Sequence, residues 1–214
     1  MKYFVYVSDA KVEMLFAQIP RKITERISAE LKVDFKVISL TLRPDSEPST
    51  RYGKVGVVSA YLHEHEPVGT VAMPKRYIEG TMPFRWTVVG STAVWCGRSQ
   101  HVMVGLTGAK HHLTGRGAVS GDLGSISFDA LKSVAGAMAQ LADASATQGP
   151  ALADHASSLA FIADTLRGPE QSLEFLAINQ GVENVDEVGG ADARGALQGI
   201  DQMLFGSPLY VAMA

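Results

Sequence analysis

Cysteine is almost missing from these 214 residues: there is one, Cys96. A lone thiol can form no internal disulfide and no cysteine-rich zinc site, which fits a reducing compartment. Aromatic residues are sparse at 7%, charged residues reach only 19%, and 19 basic side chains against 22 acidic ones leave a net charge of −3. Long apolar runs are lacking too; all fall far short of the roughly 18 to 20 residues that span a bilayer. The opening MKYFVYVSD has no small-residue cleavage site and reads as a strand rather than a signal peptide. Together these absences exclude a disulfide scaffold and a helical membrane protein, and they predict a cytoplasmic chain with no membrane partner. What is present suits a sizeable core: 46% of the residues are apolar, and they recur at regular spacing.

Charge is unevenly spread. Residues 1–128 hold 16 Lys and Arg against 11 Asp and Glu, while 129–214 hold 3 against 11, giving +5 and −8. Such asymmetry marks either a surface for a partner or an attraction between the halves of one molecule, and the lack of a dense run of one sign in either half favours the second. The basic residues lie scattered among acids, without the basic stripe or aromatic platform of a nucleic-acid-binding protein, so no nucleic-acid partner is expected.

Lys2 to Val7 is aromatic and β-branched and reads as a central strand. Ser8 and Asp9 offer capping oxygens to a short helix carrying Val12, Leu15, Phe16 and Ile19, which Pro20 interrupts. A second helix follows on Ile23, Ile27 and Leu31, with Arg21 to Glu25 and Arg26 to Glu30 as i,i+4 pairs. Alternation over 33–42 predicts a second strand, 44–50 a polar loop, and 51–66 a helix despite Gly53 and Gly56. From Phe84 to Leu113 short β-prone runs separated by turns predict an antiparallel meander, with a hairpin closed by Gly97 to Gln100. After a glycine-rich loop at 115–124 the apolar stripes become helical, first from Leu131 to Ala142 and then from Leu152 to Leu166. Pro150 and Pro169 are read as first-turn prolines, with further helices over 169–180 and 191–204 and a last strand at 209–214.

The expected fold is therefore a single α+β domain over 1–214, with a mixed or antiparallel sheet. A sheet-rich basic half (1–128) precedes an acidic helical half (129–206) packed on it, and a closing strand (207–214) returns to the sheet.

Four stretches carry a resemblance: KYFVYVSDAKVEMLFAQIP at the start, Val102 to Gly115, LRGPEQSLEFLA at 166–177, and GSPLYVAMA at 206–214. With them the chain resembles, from end to end, an uncharacterised actinobacterial family, a domain of unknown function common in streptomycetes. The resemblance implies a small cytoplasmic α+β protein and carries over no activity, cofactor or catalytic residue. Residues 67–101 and 111–128 depart from it in their His, Cys and Gly content.

Chemistry-bearing residues gather in that divergent middle. Cys96, His101, His111 and His112 would meet if two β runs form a hairpin, since a thiolate needs a neighbouring imidazole to act at neutral pH. In that reading His111, His112 and Cys96 are the catalytic candidates. Arg85, Trp86 and Trp95, with His101 and Asp122, are candidate ligand contacts, a cationic and aromatic set suited to an anionic or planar molecule. Both tryptophans serve equally as core anchors. The run His63-Glu64-His65-Glu66 sits on a predicted helix end, where its two imidazoles diverge, so no metal site is expected. The loops GLTGAKHH and GRGAVSGDLG fail the Walker and dinucleotide spacings, so no cofactor is expected. Asp9 after the first strand is read as a helix cap and His155 as a core histidine.

Two functions follow. The first is a regulatory or accessory module that binds a small molecule or partner in a cleft near residues 84–124. The alternative is a cofactor-independent cyclase, isomerase or hydrolase of specialised metabolism, using His111 or His112 as acid/base. The Ala-rich helices, acidic outside, offer a surface for another protein or a second copy.

Overall fold

The computed structural model of the chain describes residues 2–31, 48–99, 101–114, 130–142, 155–185 and 197–214. The strand predicted at 33–42, the glycine-rich loop at 115–124 with Asp122, and Pro150 lie outside the described residues. In order, the elements are β1 (Phe4–Val7), α1 (Asp9–Gln18), α2 (Arg21–Glu30), α3 (Pro48–His65), β2 (Val68–Thr70), β3 (Tyr77–Val89), β4 (Thr92–Arg98), β5 (Val102–Ala109), α4 (Ala130–Ala142), α5 (His155–Thr165), β6 (Gln171–Asn184) and β7 (Gln202–Met213), with a 3-10 turn at Lys110–His112. The α+β expectation holds, with one mixed sheet of seven strands.

That sheet closes into a small barrel. β3, β4 and β5 form the expected antiparallel meander, with Trp86 opposite Trp95 and Cys96 opposite Gly105. β5 then pairs in parallel with β7, β7 with β6, and β6 back with β3. The remaining strands extend this ring, β1 alongside β7 and β2 alongside β3. β1 is thus an appended strand rather than the central one predicted.

The pleat divides the core into three layers. Tyr6, Ile78, Phe84, Trp95, Leu106, Phe175 and Leu204 fill the barrel interior. On the outside, α4 and α5 cover Val94, Cys96, Met103 and Phe205, while α1, α2 and α3 cover Val7, Leu176, Leu209 and Tyr210. Burial on both faces explains why β7 reads as a nearly continuous apolar run. At about 25 cal/mol per Å² of apolar surface, each large side chain sealed in this way contributes roughly 1.5–3 kcal/mol.

The helical half is corrected at both later segments. Residues 171–184 are strand β6, not a helix, and strand β7 begins at Gln202 inside the helix predicted over 191–204. The physical signals were the positive φ of 116° at Gly168, which ends α5 before Pro169, and that of 78° at Gly199, which turns the chain into β7. Along β6 the inward residues Leu173, Phe175 and Ala177 alternate with Glu174 and Leu176, a period of two that the neighbouring helical composition masked. Gly206 and Pro208 are strand residues of β7. The loop expected to run to Thr50 is shorter, because α3 starts at Pro48, a position that tolerates the missing N–H. Of the two predicted pairs on α2, Arg21 to Glu25 forms at 2.9 Å, whereas Arg26 reaches Glu64 on α3 instead.

Candidate functional site

The hairpin that joins β3 to β4 sets the first site. Register places Arg85 opposite Cys96 and Trp86 opposite Trp95, so the two pairs project from opposite faces. Arg85 and Cys96 look outward, where the end of α5 stands off the sheet and leaves a cavity of about 400 Å³. Gly97, Arg98 and Met103 line it from the hairpin side, and Asp164, Leu166 and Glu170 from α5 and the chain beyond it. Gly97 has structural reason to be glycine, since a Cβ there would lie 2.7 Å from the Phe84 ring.

Two guanidinium groups, Arg85 and Arg98, and two carboxylates, Asp164 and Glu170, face this cleft. Arg85 Nη2 is 3.4 Å from Glu170 Oε1, and both side chains remain substantially exposed, so the pair is replaceable by a ligand. Arg85 Nε is buried with no hydrogen-bond partner. Arg98 donates to the carbonyl of Gln198, fixing the second guanidinium at the mouth. At the floor, burial pushes the Cys96 thiol up to about 12, and nearby Arg85 only partly offsets it. Cys96 is therefore a neutral thiol at physiological pH, a weak donor rather than a nucleophile.

The other sequence candidates lie elsewhere. Trp95 is fully buried inside the barrel and stacks on Trp86 at 6.2 Å, leaving no face for a ligand; the core-anchor reading is the one the pleat supports. Trp86 donates to Gln171 Oε1 at 3.0 Å. His101 sits exposed at the turn between β4 and β5, 3.3 Å from Asp201. His111 and His112 occupy the 3-10 turn past the far end of β5. Eight residues of β5, a span of roughly 26 Å, separate that turn from His101, so the predicted meeting of Cys96, His101 and His111 or His112 does not occur.

His112 has different company. Its Nδ1 lies 3.5 Å from Asp9 Oδ2 without an aligned hydrogen bond, and its ring is 4.0 Å from that of His111. Asp9 is not a cap, nor is the Ser8 side chain. Instead Arg51 on α3 grips the Asp9 carboxylate at 2.6 and 2.9 Å and also donates to the carbonyl of Val7 at 2.9 Å. Burial alone would raise the Asp9 carboxyl, but His112 and Arg51 outweigh it and hold the group below its ordinary range. Sequence reasoning missed Arg51 because 42 residues separate it from Asp9.

A second groove, of about 530 Å³, lies farther along β3, between Glu79 and Glu174 over Gly80, Thr81 and Phe175. Its carboxylates are engaged, Glu79 by His63 at 2.7 Å and Glu174 by Lys2 at 2.5 Å and by the Tyr210 hydroxyl at 2.7 Å. His63 and His65 both end α3, as the predicted helix terminus requires. His155 packs on Phe205 with its Nδ1 3.6 Å from Glu183. Among the described residues no helix is long and apolar enough to cross a membrane.

Compared with known proteins, the chain matches one family model over residues 2–214, that of a family of unknown function (DUF7019). No curated protein and no solved structure matches it.

Proposed function

The chain belongs to this family of unknown function, whose description assigns no activity, and we propose from the cleft itself that it is a small-molecule-binding module for an anionic ligand. The observation that carries this reading is the cavity of about 400 Å³ with Arg85 and Arg98 on its walls and a neutral thiol at its floor. That volume suits a metabolite of modest size. A carboxylate or phosphate entering it displaces Glu170 from Arg85 and takes a bidentate pair of N–H donors, including the buried Nε that has no partner. The apolar part of such a ligand rests on Met103 and Leu166. Cytoplasmic residence, an accessory or regulatory role and an actinobacterial source belong to the same reading.

Thermal shift with succinate, benzoate and inorganic phosphate tests it. Stabilisation by at least one of these anions in the wild type, abolished in Arg85→Gln, is the expected result. Equal shifts in both proteins, or none in either, would remove the cleft as an anion site.

A further inference from the structure

The cleft beneath the end of α5 is charged at its mouth and apolar at its floor. Arg98, Asp164 and Glu170 are exposed and Arg85 is partly so, whereas Cys96, Met103 and Leu166 are buried. At the mouth the charges balance, two guanidinium groups against two carboxylates. Arg85 and Glu170 meet at 3.4 Å. The other two stand apart: among the described residues no carboxylate pairs with Arg98, which donates to the Gln198 carbonyl, and no cation pairs with Asp164.

A lone anion matches that arrangement poorly. Once it occupies Arg85, the Glu170 carboxylate has lost its guanidinium and lies on the same side of the cleft as Asp164, so like charges gather and the mouth becomes net negative. A ligand that brings its own cation removes both penalties. Its carboxylate takes the N–H donors of Arg85, including the buried Nε that has no partner, while its ammonium takes the released Glu170. One loose ion pair becomes two, and the charge of the mouth still sums to zero.

Spacing and the floor narrow the ligand further. The two protein charges are neighbours, so the two ligand charges must be neighbours as well, which an α-amino acid satisfies by carrying both about a single carbon. The remaining arm of that carbon then points down to Met103 and Leu166, where only an apolar group is desolvated without loss.

Resting on the reading that Arg85 receives an anionic group, we propose that the ligand of this cleft is an α-amino acid with an apolar side chain. It binds by a double exchange: the Arg85–Glu170 pair opens, and each partner closes on the opposite end of the ligand. Discrimination comes from the carboxylates, which repel an acid that lacks the ammonium.

Isothermal titration calorimetry on the full chain, with two matched sets of probes, tests this. One set is L-phenylalanine, hydrocinnamate, which lacks the ammonium, and phenethylamine, which lacks the carboxylate; the other is L-leucine, isocaproate and isoamylamine. In at least one set the amino acid is expected to bind at least about tenfold tighter than either of its relatives, the worth of one charge-assisted pair. Glu170→Gln should then split the set: the amino acid weakens, while the simple acid holds or gains because Arg85 is no longer occupied. Arg85→Gln weakens both. If the simple acids bind and the amino acids hold no advantage in either set, the amino-acid proposal falls and the anion reading stands; if no carboxylate-bearing probe binds, both fall. These comparisons use the wild type alone and need no variant to fold. An amino acid that binds Glu170→Gln as tightly as the wild type overturns the exchange.

Discussion

The hydroxyl of Tyr6 lies 2.5 Å from the point where a Cβ on Gly108 would sit. Tyr6 is fully buried in the barrel, edge-on to Trp95 at 5.1 Å, so it has nowhere to retreat. Gly108→Ala is expected to cost about 1–3 kcal/mol as an overpacked core does. Gly136→Ala on α4 meets nothing within 4 Å and is expected to add about 0.5–1 kcal/mol through helix propensity. Urea unfolding of the two variants gives opposite signs if the barrel interior is packed as described.

Arg51 ties the start of α1 to α3 through Asp9 and to the end of β1 through Val7. Arg51→Ala leaves a half-buried carboxylate and a carbonyl without their donor, at a cost of roughly 1–3 kcal/mol. The pH dependence has a definite sign. Because the Asp9 carboxyl is lowered in the folded state, its contribution is present above the unfolded value of about 3.9 and is lost as pH falls through the lower folded value. Unfolding curves between about pH 5 and 2 should therefore be steeper in the wild type than in Asp9→Asn, and equal slopes would sink this account.

Local pattern made much of this molecule readable. Apolar spacing showed α1, α2 and α5, and β-branched runs between turns showed the meander, because each signal lies within one element. The facing of Arg85 and Cys96 was not read, because the expected hairpin was the one between β4 and β5, whereas this pair belongs to β3 and β4. Barrel closure was not legible, because it depends on β7 pairing with β5, β6 and β1, strands as far as 200 residues away in sequence. The same limit hid the α5 side of the cleft, where Asp164 and Glu170 arrive from remote sequence. β6 was lost for another reason: its inward alternation follows an Ala-rich helix and Pro169, which was read as opening a further helix.

Two of the histidines, His63 and His111, should titrate in a fixed order. Burial would lower His63, but the Ser59 carbonyl and the Glu79 carboxylate outweigh it and raise the imidazole above 6.5. His111 moves the other way, lowered by burial and then by His112 beside it, with Asp9 opposing. Two-dimensional NMR of the ring protons is expected to show His111 losing its proton before His63 as pH rises. Glu79→Gln brings His63 back down and leaves His111 in place. The raised His63 contributes stability that is full below the unfolded value of about 6.5 and is lost as pH rises through the folded one.

Cys96 gives the most direct reading of the cleft floor. With burial pushing its thiol up to about 12, the thiolate fraction at pH 8 is on the order of one in ten thousand. Labelling of the native protein by Ellman's reagent at pH 8 should run at least about 100-fold slower than that of free cysteine, and reach the free rate in urea. The sign for stability follows from proton binding: between about pH 9 and 12 the unfolded thiol ionises while the folded one stays protonated, so this group lowers stability as pH rises. Cys96→Ala should remove that part of the alkaline loss. Fast native labelling at pH 8 would mean a thiolate exposed to Arg85 and Arg98, and the cleft would then have to be described as a nucleophilic site rather than a neutral floor for an anion.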